Sequence, residues 1–256
     1  MFKGEGLGWV LFKELIQTGG VFKKQNIVDR HKMFTKIRSY SLYNADQNNE
    51  DSISSTLRKK RFEFFKEYSK KFEKPIKIID LGGTDYYWKN IGFINNDEYH
   101  ITILNIKQQE VKDLKNISFV KKDARDLNFI KDKEYDLVYS NSMIEHLNKL
   151  NEQKELAGEI QRIGKKFFIQ TPNYYFPVEP HFLFPLFQYL PVKMKSKLIS
   201  KYDLGWYQKQ FNKKEASDIA SSIRLLKKKE LEEIFPGCKI YCEKYFCLNK
   251  SFIVYN

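Results

Sequence analysis

A chain of 256 residues, 42% of them apolar, is long enough to bury the core of one α/β domain with additions. No run of eighteen apolar residues occurs, and the N-terminal stretch MFKGEGLGWVLFKEL carries charges every few residues, so neither a spanning helix nor a cleavable signal is expected and the expected localisation is cytoplasmic. The net charge of +13 is uneven, with 16 basic and 9 acidic side chains over residues 1–75, 15 and 16 over 76–180, and 14 and 7 over 181–256; basic flanks around a neutral centre suit an anionic partner, or merely solvate exposed helices.

Residues 1–75 are expected to form a helical extension. It begins with an amphipathic helix over Leu7–Ile16 and a break at Gly19–Gly20, and the polar run Ala45–Ser52 reads as a loop. A second helix is expected over Ser54–Phe72, where Leu57, Phe64, Phe65, Tyr68 and Phe72 recur at helical spacing. Arg61 falls on that same apolar face. A guanidinium cannot be neutralised by deprotonation, so it must reach water or find an anion, either a structural carboxylate or one belonging to a ligand.

The stretch IKIIDLGGTD, Ile76–Asp85, organises the rest of the chain. Ile76–Leu81 is an apolar run without helical spacing and reads as a strand buried on both faces of a parallel sheet. Asp80 at its carboxyl end can accept hydrogen bonds from a ligand, and Gly82 and Gly83 let the backbone turn tightly and approach that ligand, as at a nucleotide site. Four more strands are expected within Tyr99–Ile106, Ile117–Leu127, Tyr135–Leu147 and Lys165–Asn173, with a helix over Glu152–Ile163 before the last. Five prolines from Pro172 to Pro191 forbid a continuous helix beyond that point. Short helices near Glu215–Ser222 and Lys227–Phe235 then lead to two alternating strands joined near Leu248–Lys250. Cys238, Cys242 and Cys247 are odd in number and spaced neither as a zinc site nor as a disulfide framework.

The ordered blocks IDLGGTD, SNSMIEHL and FFIQTPNYYFPVEPH resemble the class I S-adenosylmethionine-dependent methyltransferases, in particular a small branch often found with surface-glycan synthesis. The resemblance runs from about Ile76 to the C-terminus. It implies a Rossmann-like α/β sheet of seven strands, order 3-2-1-4-5-7-6 with the seventh antiparallel. The domain would span 76–256, with an acceptor-side insertion at about 174–212. The implied cofactor is S-adenosyl-L-methionine, leaving as S-adenosyl-L-homocysteine. For cofactor binding the resemblance points to Asp80, Gly82, Gly83, Thr84 and Asp85 in the turn, and to Asn105 and Ile106 after the second strand. Asp123 and Ala124 would hold the adenine, with Asp126 the competing carboxylate, and Ser140 and Asn141 would lie under the methionine portion. Arg61 is the candidate partner of the methionyl carboxylate. The family's second and third glycines are replaced here by Thr84 and Tyr86, and its ribose acid by Asn105, an amide that still donates and accepts.

Candidate general bases are His146 with Glu145, since imidazole titrates near neutral pH, and His181 with Glu179. Methyl transfer from a sulfonium requires no metal, and the sequence shows no metal-ligand cluster. Tyr174 and Tyr175 are placed to stack on a sugar or ring. The apolar block Phe182–Leu190 followed by Lys193, Lys195, Lys197 and Lys201 reads either as core packing or as a peripheral element at the inner membrane surface. The expected acceptor is a sugar hydroxyl or other small molecule, nucleotide- or lipid-linked. The rivals are an RNA methyltransferase, from the charge, and a scaffolding homologue that keeps the fold without catalysis, from the departures in the glycine turn.

Overall fold

The computed structural model describes residues 27–46, 49, 51–90, 92–107 and 114–256. The helix expected over Leu7–Ile16 and the break at Gly19–Gly20 lie outside the described residues. The chain divides into two compact units, one of residues up to Arg58 with Pro177–Ser221, the other of Lys59–Phe176 with Ser222–Asn256.

The second unit holds a seven-stranded sheet of β1 (Ile76–Leu81), β2 (Tyr99–Asn105), β3 (Ile117–Lys121), β4 (Tyr135–Asn141), β5 (Gly164–Pro172), β6 (Lys239–Tyr245) and β7 (Leu248–Tyr255). The spatial order is 3-2-1-4-5-7-6, with the first five strands parallel and β7 antiparallel to both β5 and β6. This is the Rossmann-like sheet implied by the resemblance. The closing hairpin turns at Phe246–Cys247, two residues earlier than expected. Leu248 and Asn249 are still paired across it with Tyr245 and Lys244, and Phe246 takes up the turn at φ 52°. Cys238 and Cys242 are half-buried, Cys247 is exposed, and all three are free thiols.

The period of two along each strand sends alternate residues to opposite faces. Ile76 and Ile78 of β1, Leu137 and Tyr139 of β4 and Phe168 of β5 pack on one face with Phe62, Phe65 and Tyr68. Those three belong to the helix Ile53–Ser69, whose first turn is held by Ser52 Oγ accepting from Ser55 N at 3.0 Å, a polar cap on orphan amides. Ile79 and Leu81, Val138, Phe167 and Ile169 fill the other face against Leu156, Ala157, Ile160 and Ile163 of the helix Leu150–Ile163. The apolar strand β1 is thus buried on both sides, and the same alternation sends Asp80 to the Phe65 face, where Trp88 lies. Trp88 comes from a short helix, Asp85–Asn90; only a brief crossover fits the sequence DYYWKN, which is poor in strong helix formers.

The first unit contains a helix over Ile27–Ala45 that sequence periodicity does not announce, because its apolar residues are scattered around the cylinder rather than striped. Arg38 Nε of that helix donates to Gly205 O at 3.1 Å. The proline-rich segment forms a two-residue ribbon (Val178–Glu179 with Phe184–Pro185), a 3-10 turn (Phe187–Tyr189) and the helix Val192–Ile199, followed by the helix Lys213–Ser221. Among the described residues no helix is long and apolar enough to cross a membrane.

Candidate functional site

A cleft of about 510 Å³ opens at the carboxyl ends of β1 to β4. Parallel strands deliver their carboxyl ends to one edge, which is where the ligand crevice of an open α/β sheet forms. Of the expected residues, Gly82, Asn105, Ile106, Asp123, Ala124 and His146 line it. Ser142, Met143, Lys122 and Arg125 line it as well. Sequence reasoning places none of these four in the site, although each lies within two residues of one it does select.

The floor is the glycine turn. Gly82 holds φ 82°, and a Cβ there would come within 2.6 Å of Met143 Cγ. A Cβ on Gly83 would lie 1.7 Å from Asp80 Oδ2, so the Asp80 carboxylate fills the space directly beside Gly83. Asp80 is 1% exposed. Its Oδ2 accepts from Trp88 Nε1 at 2.7 Å, whereas Oδ1 has no hydrogen-bond partner among the described residues. Burial pushes this carboxyl up to about 7, against the lowering effect of the Trp88 indole. Asn105 ties the turn from above, its amide nitrogen donating to Gly82 O at 3.2 Å and Gly83 O at 2.9 Å while its oxygen accepts from Lys107 N at 3.0 Å. An aspartate could not make those two donations, which gives the amide at this position a structural reason.

Asp123 follows β3 and is gripped by Arg125, whose Nε lies 3.1 and 3.0 Å from its two oxygens and whose Nη2 is 2.6 Å from Oδ2. The Arg125 side chain and backbone amide hold this carboxylate below its usual range. Asp126 pairs with Lys122 and does not line the cleft. Thr84 is exposed, and Asp85 sits in the first turn of its short helix paired with Lys89 at 2.7 Å. Ser140 is buried and donates to Leu81 O at 3.0 Å, tying β4 to β1.

Arg61 has a carboxylate from its own chain. Its Nε and Nη2 reach Glu243 Oε1 and Oε2 at 2.8 and 2.7 Å, and Nη1 donates to Asn141 Oδ1 at 2.6 Å. Ser251 Oγ donates to the same Glu243. The helical face rightly demands an anion for Arg61, but β6 supplies it, so the geometry supports the structural role over the ligand role. Beside this network, Tyr87 and Tyr139 share a short hydroxyl contact.

The base candidates are separated by burial. His146 closes a 3-10 turn, Ile144–His146, and faces the cleft, while Glu145 is fully buried and its Oε2 accepts from Thr171 Oγ1 at 3.0 Å. His181 belongs to the first unit. There the buried Glu179 accepts from the backbone amides of His181 and Phe182 at 2.8 and 2.6 Å and lies 2.7 Å from His181 Nδ1. Tyr175 is exposed, Tyr174 is half-buried, and Lys227 Nζ lies 5.1 Å from the Tyr174 ring.

Residues 85–167 match the family described as "Methyltransferase domain". Over 60 residues the chain is 35% identical to uncharacterized proteins from two strains of Mycobacterium tuberculosis, a stretch covering 23% of this chain and 20% of each relative. The match thus spans about a fifth of those relatives' length. Among solved structures the chain is similar to the CurJ carbon methyltransferase, with a TM-score of 0.55 and 9% identity over 96% of this chain and 78% of that one. It is also similar to the Burkholderia thailandensis 1,6-didemethyltoxoflavin-N1-methyltransferase, solved with 1,6-didemethyltoxoflavin and S-adenosylhomocysteine. There the TM-score is 0.50, with 10% identity over 92% and 91% of the two chains. At such identities the likeness is one of fold. Together with the family match over residues 85–167, it gives the chain the fold of the class I S-adenosylmethionine-dependent methyltransferases.

Proposed function

We propose that this domain is a working enzyme, one that binds S-adenosyl-L-methionine in the cleft at the ends of β1 to β4. It methylates an oxygen of a sugar or other small acceptor, including nucleotide- or lipid-linked forms. The observation that carries this reading is the convergence of Gly82, Asn105, Asp123 and His146 from four separate segments on one cleft. The residues fit the cofactor. Beside the glycine turn, Asp80 Oδ1 is buried without a partner among the described residues, as expected of an acceptor waiting for a cationic donor. When bound, the cofactor supplies a methyl carbon already activated by its sulfonium, so the chain's task is alignment and proton removal.

His146 is the proposed base. It would take the acceptor hydroxyl's proton as the new carbon–oxygen bond forms and the methyl–sulfur bond breaks, leaving S-adenosyl-L-homocysteine. Glu145, buried and bonded to Thr171, would hold the turn that carries it. His181, oriented by Glu179, is the second base candidate.

Titration calorimetry is expected to show saturable binding of S-adenosylmethionine. Asp123→Ala should weaken it roughly tenfold, the value of one or so lost hydrogen bonds. Gly83→Ala, which must displace Asp80, should weaken it at least as much. Unchanged affinity in both variants would remove the cleft from consideration.

On the true acceptor, His146→Ala should lower turnover by about a hundredfold to ten-thousandfold with cofactor affinity kept. Full turnover in that variant would leave alignment as the whole of catalysis. Formation of S-adenosylhomocysteine by the wild type separates an enzyme from a scaffold that only binds.

A further inference from the structure

In the first unit, the segment after the two-residue ribbon sorts its side chains in a way the sequence does not show. Phe182 and Phe187 are buried at 2% and 1% exposure, their ring centroids 4.3 Å apart. Leu186, Tyr189, Val192 and Met194 remain 42%, 43%, 44% and 53% exposed. The helix Val192–Ile199 divides accordingly. Ile199 is buried and Lys195 is turned inward, its Nζ 5.6 Å from the Phe187 ring and its pKa lowered by burial. Val192, Lys193, Met194 and Lys197 are all exposed, and the i, i+3 and i, i+4 spacings of Met194, Lys193 and Lys197 make them neighbours on the outer surface. No acidic residue occurs between Glu179 and Asp203. Leu186, moreover, holds φ 57°, a backbone that disfavours a side chain such as leucine. The chain therefore accepts an unfavourable turn and places the apolar group in water.

We infer that this segment is a docking surface for an anionic phospholipid bilayer, with Leu186, Tyr189, Val192 and Met194 entering the headgroup boundary and Lys193 and Lys197 meeting lipid phosphates. Charge decides the occupant. Apolar side chains interleaved with lysines and no carboxylate match an interface that is apolar inside and negative at its surface. An apolar protein partner would not call for the lysines, and nucleic acid would not call for the leucine, valine and methionine. The attachment is peripheral and reversible. It does not depend on the methyltransferase reading, although it would bring an enzyme to lipid-linked acceptors.

The test is co-sedimentation of the full chain with vesicles of phosphatidylcholine alone or mixed with phosphatidylglycerol, at low and high salt. The wild type is expected to pellet with the anionic vesicles at low salt and to be released at high salt. Lys193→Gln and Lys197→Gln together should lower the partition coefficient about twenty-five-fold, about fivefold per lysine. Leu186→Asn with Met194→Gln should also weaken it while keeping the fold, because asparagine tolerates the left-handed turn and glutamine the helix. Unchanged thermal unfolding and cofactor binding in solution would show that the variants are folded. A wild type that stays in the supernatant with anionic vesicles at low salt would overturn the inference. So would lysine variants that bind vesicles as the wild type does, or the same variants losing affinity for single-stranded RNA while vesicles never bind.

Discussion

Arg61→Met is expected to destabilise the chain by about 3–5 kcal/mol, the cost of removing one partner of a buried ion pair. The Arg61 and Glu243 side chains are 11% and 4% exposed. Burial opposes the charge on Arg61, but Glu243 outweighs it and the net effect is to raise the guanidinium's pKa. Without Arg61, Glu243 keeps the Ser251 hydroxyl as its donor among the described residues, and Asn141 Oδ1 loses its donor too. Glu243→Leu alone should cost a similar amount, since it strands the arginine. The double variant should recover most of the loss, because replacing both members of a buried pair by apolar groups is often close to neutral. Urea unfolding of the four proteins measures this directly. Single variants that lose under about 1 kcal/mol would mean that the pair behaves as an exposed one. The same Arg61→Met protein also tests the ligand role. If Arg61 is structural, affinity for S-adenosylmethionine and for methylthioadenosine, which lacks the carboxylate, should change alike.

Asp80→Asn is expected to stabilise the protein above neutral pH. Buried beside the glycine turn, Asp80 titrates at about 7 in the folded chain but at about 3.9 once unfolded. Below pH ~4 the group is protonated in both states and has no effect. Between pH ~4 and ~7 the folded state keeps a proton that the unfolded state has lost, so stability falls as pH rises. Above pH ~7 the loss is complete, and at about 1.4 kcal/mol per unit it amounts to roughly 4 kcal/mol. Asparagine still accepts from the Trp88 indole but cannot ionise. The stability of the variant relative to wild type should therefore grow between pH ~4 and ~7 and then level off, a difference in which the chain's other titrating groups largely cancel. A difference that does not vary with pH would show that Asp80 is ionised throughout. A cationic ligand meeting Oδ1 would favour the ionised form, so cofactor affinity is expected to weaken as pH falls below 7 in the wild type and not in the variant.

The parallel strands and the edge on which the cleft opens were legible in the order of the residues, whereas the spatial order of all seven strands followed only from the family resemblance. The apolar runs of β1, β2, β4 and β5 cannot be solvated helices, and parallel strands must present their carboxyl ends on one edge. The Asp80–Gly83 turn and Asp123 were legible for the same reason, because tight turns and strand ends are local features. Periodicity also revealed that Arg61 lies on an apolar face. It did not reveal the partner, since Glu243 is 182 residues away and joins Arg61 only because β6 closes the sheet through β7. The helix over Ile27–Ala45 was invisible because no stripe marks it. The outward turn of Leu186 and the inward turn of Lys195 run against their residue types. Local pattern states which side chains must be covered or charged. What covers them is settled by contacts between distant segments, and these exist only once the chain has folded.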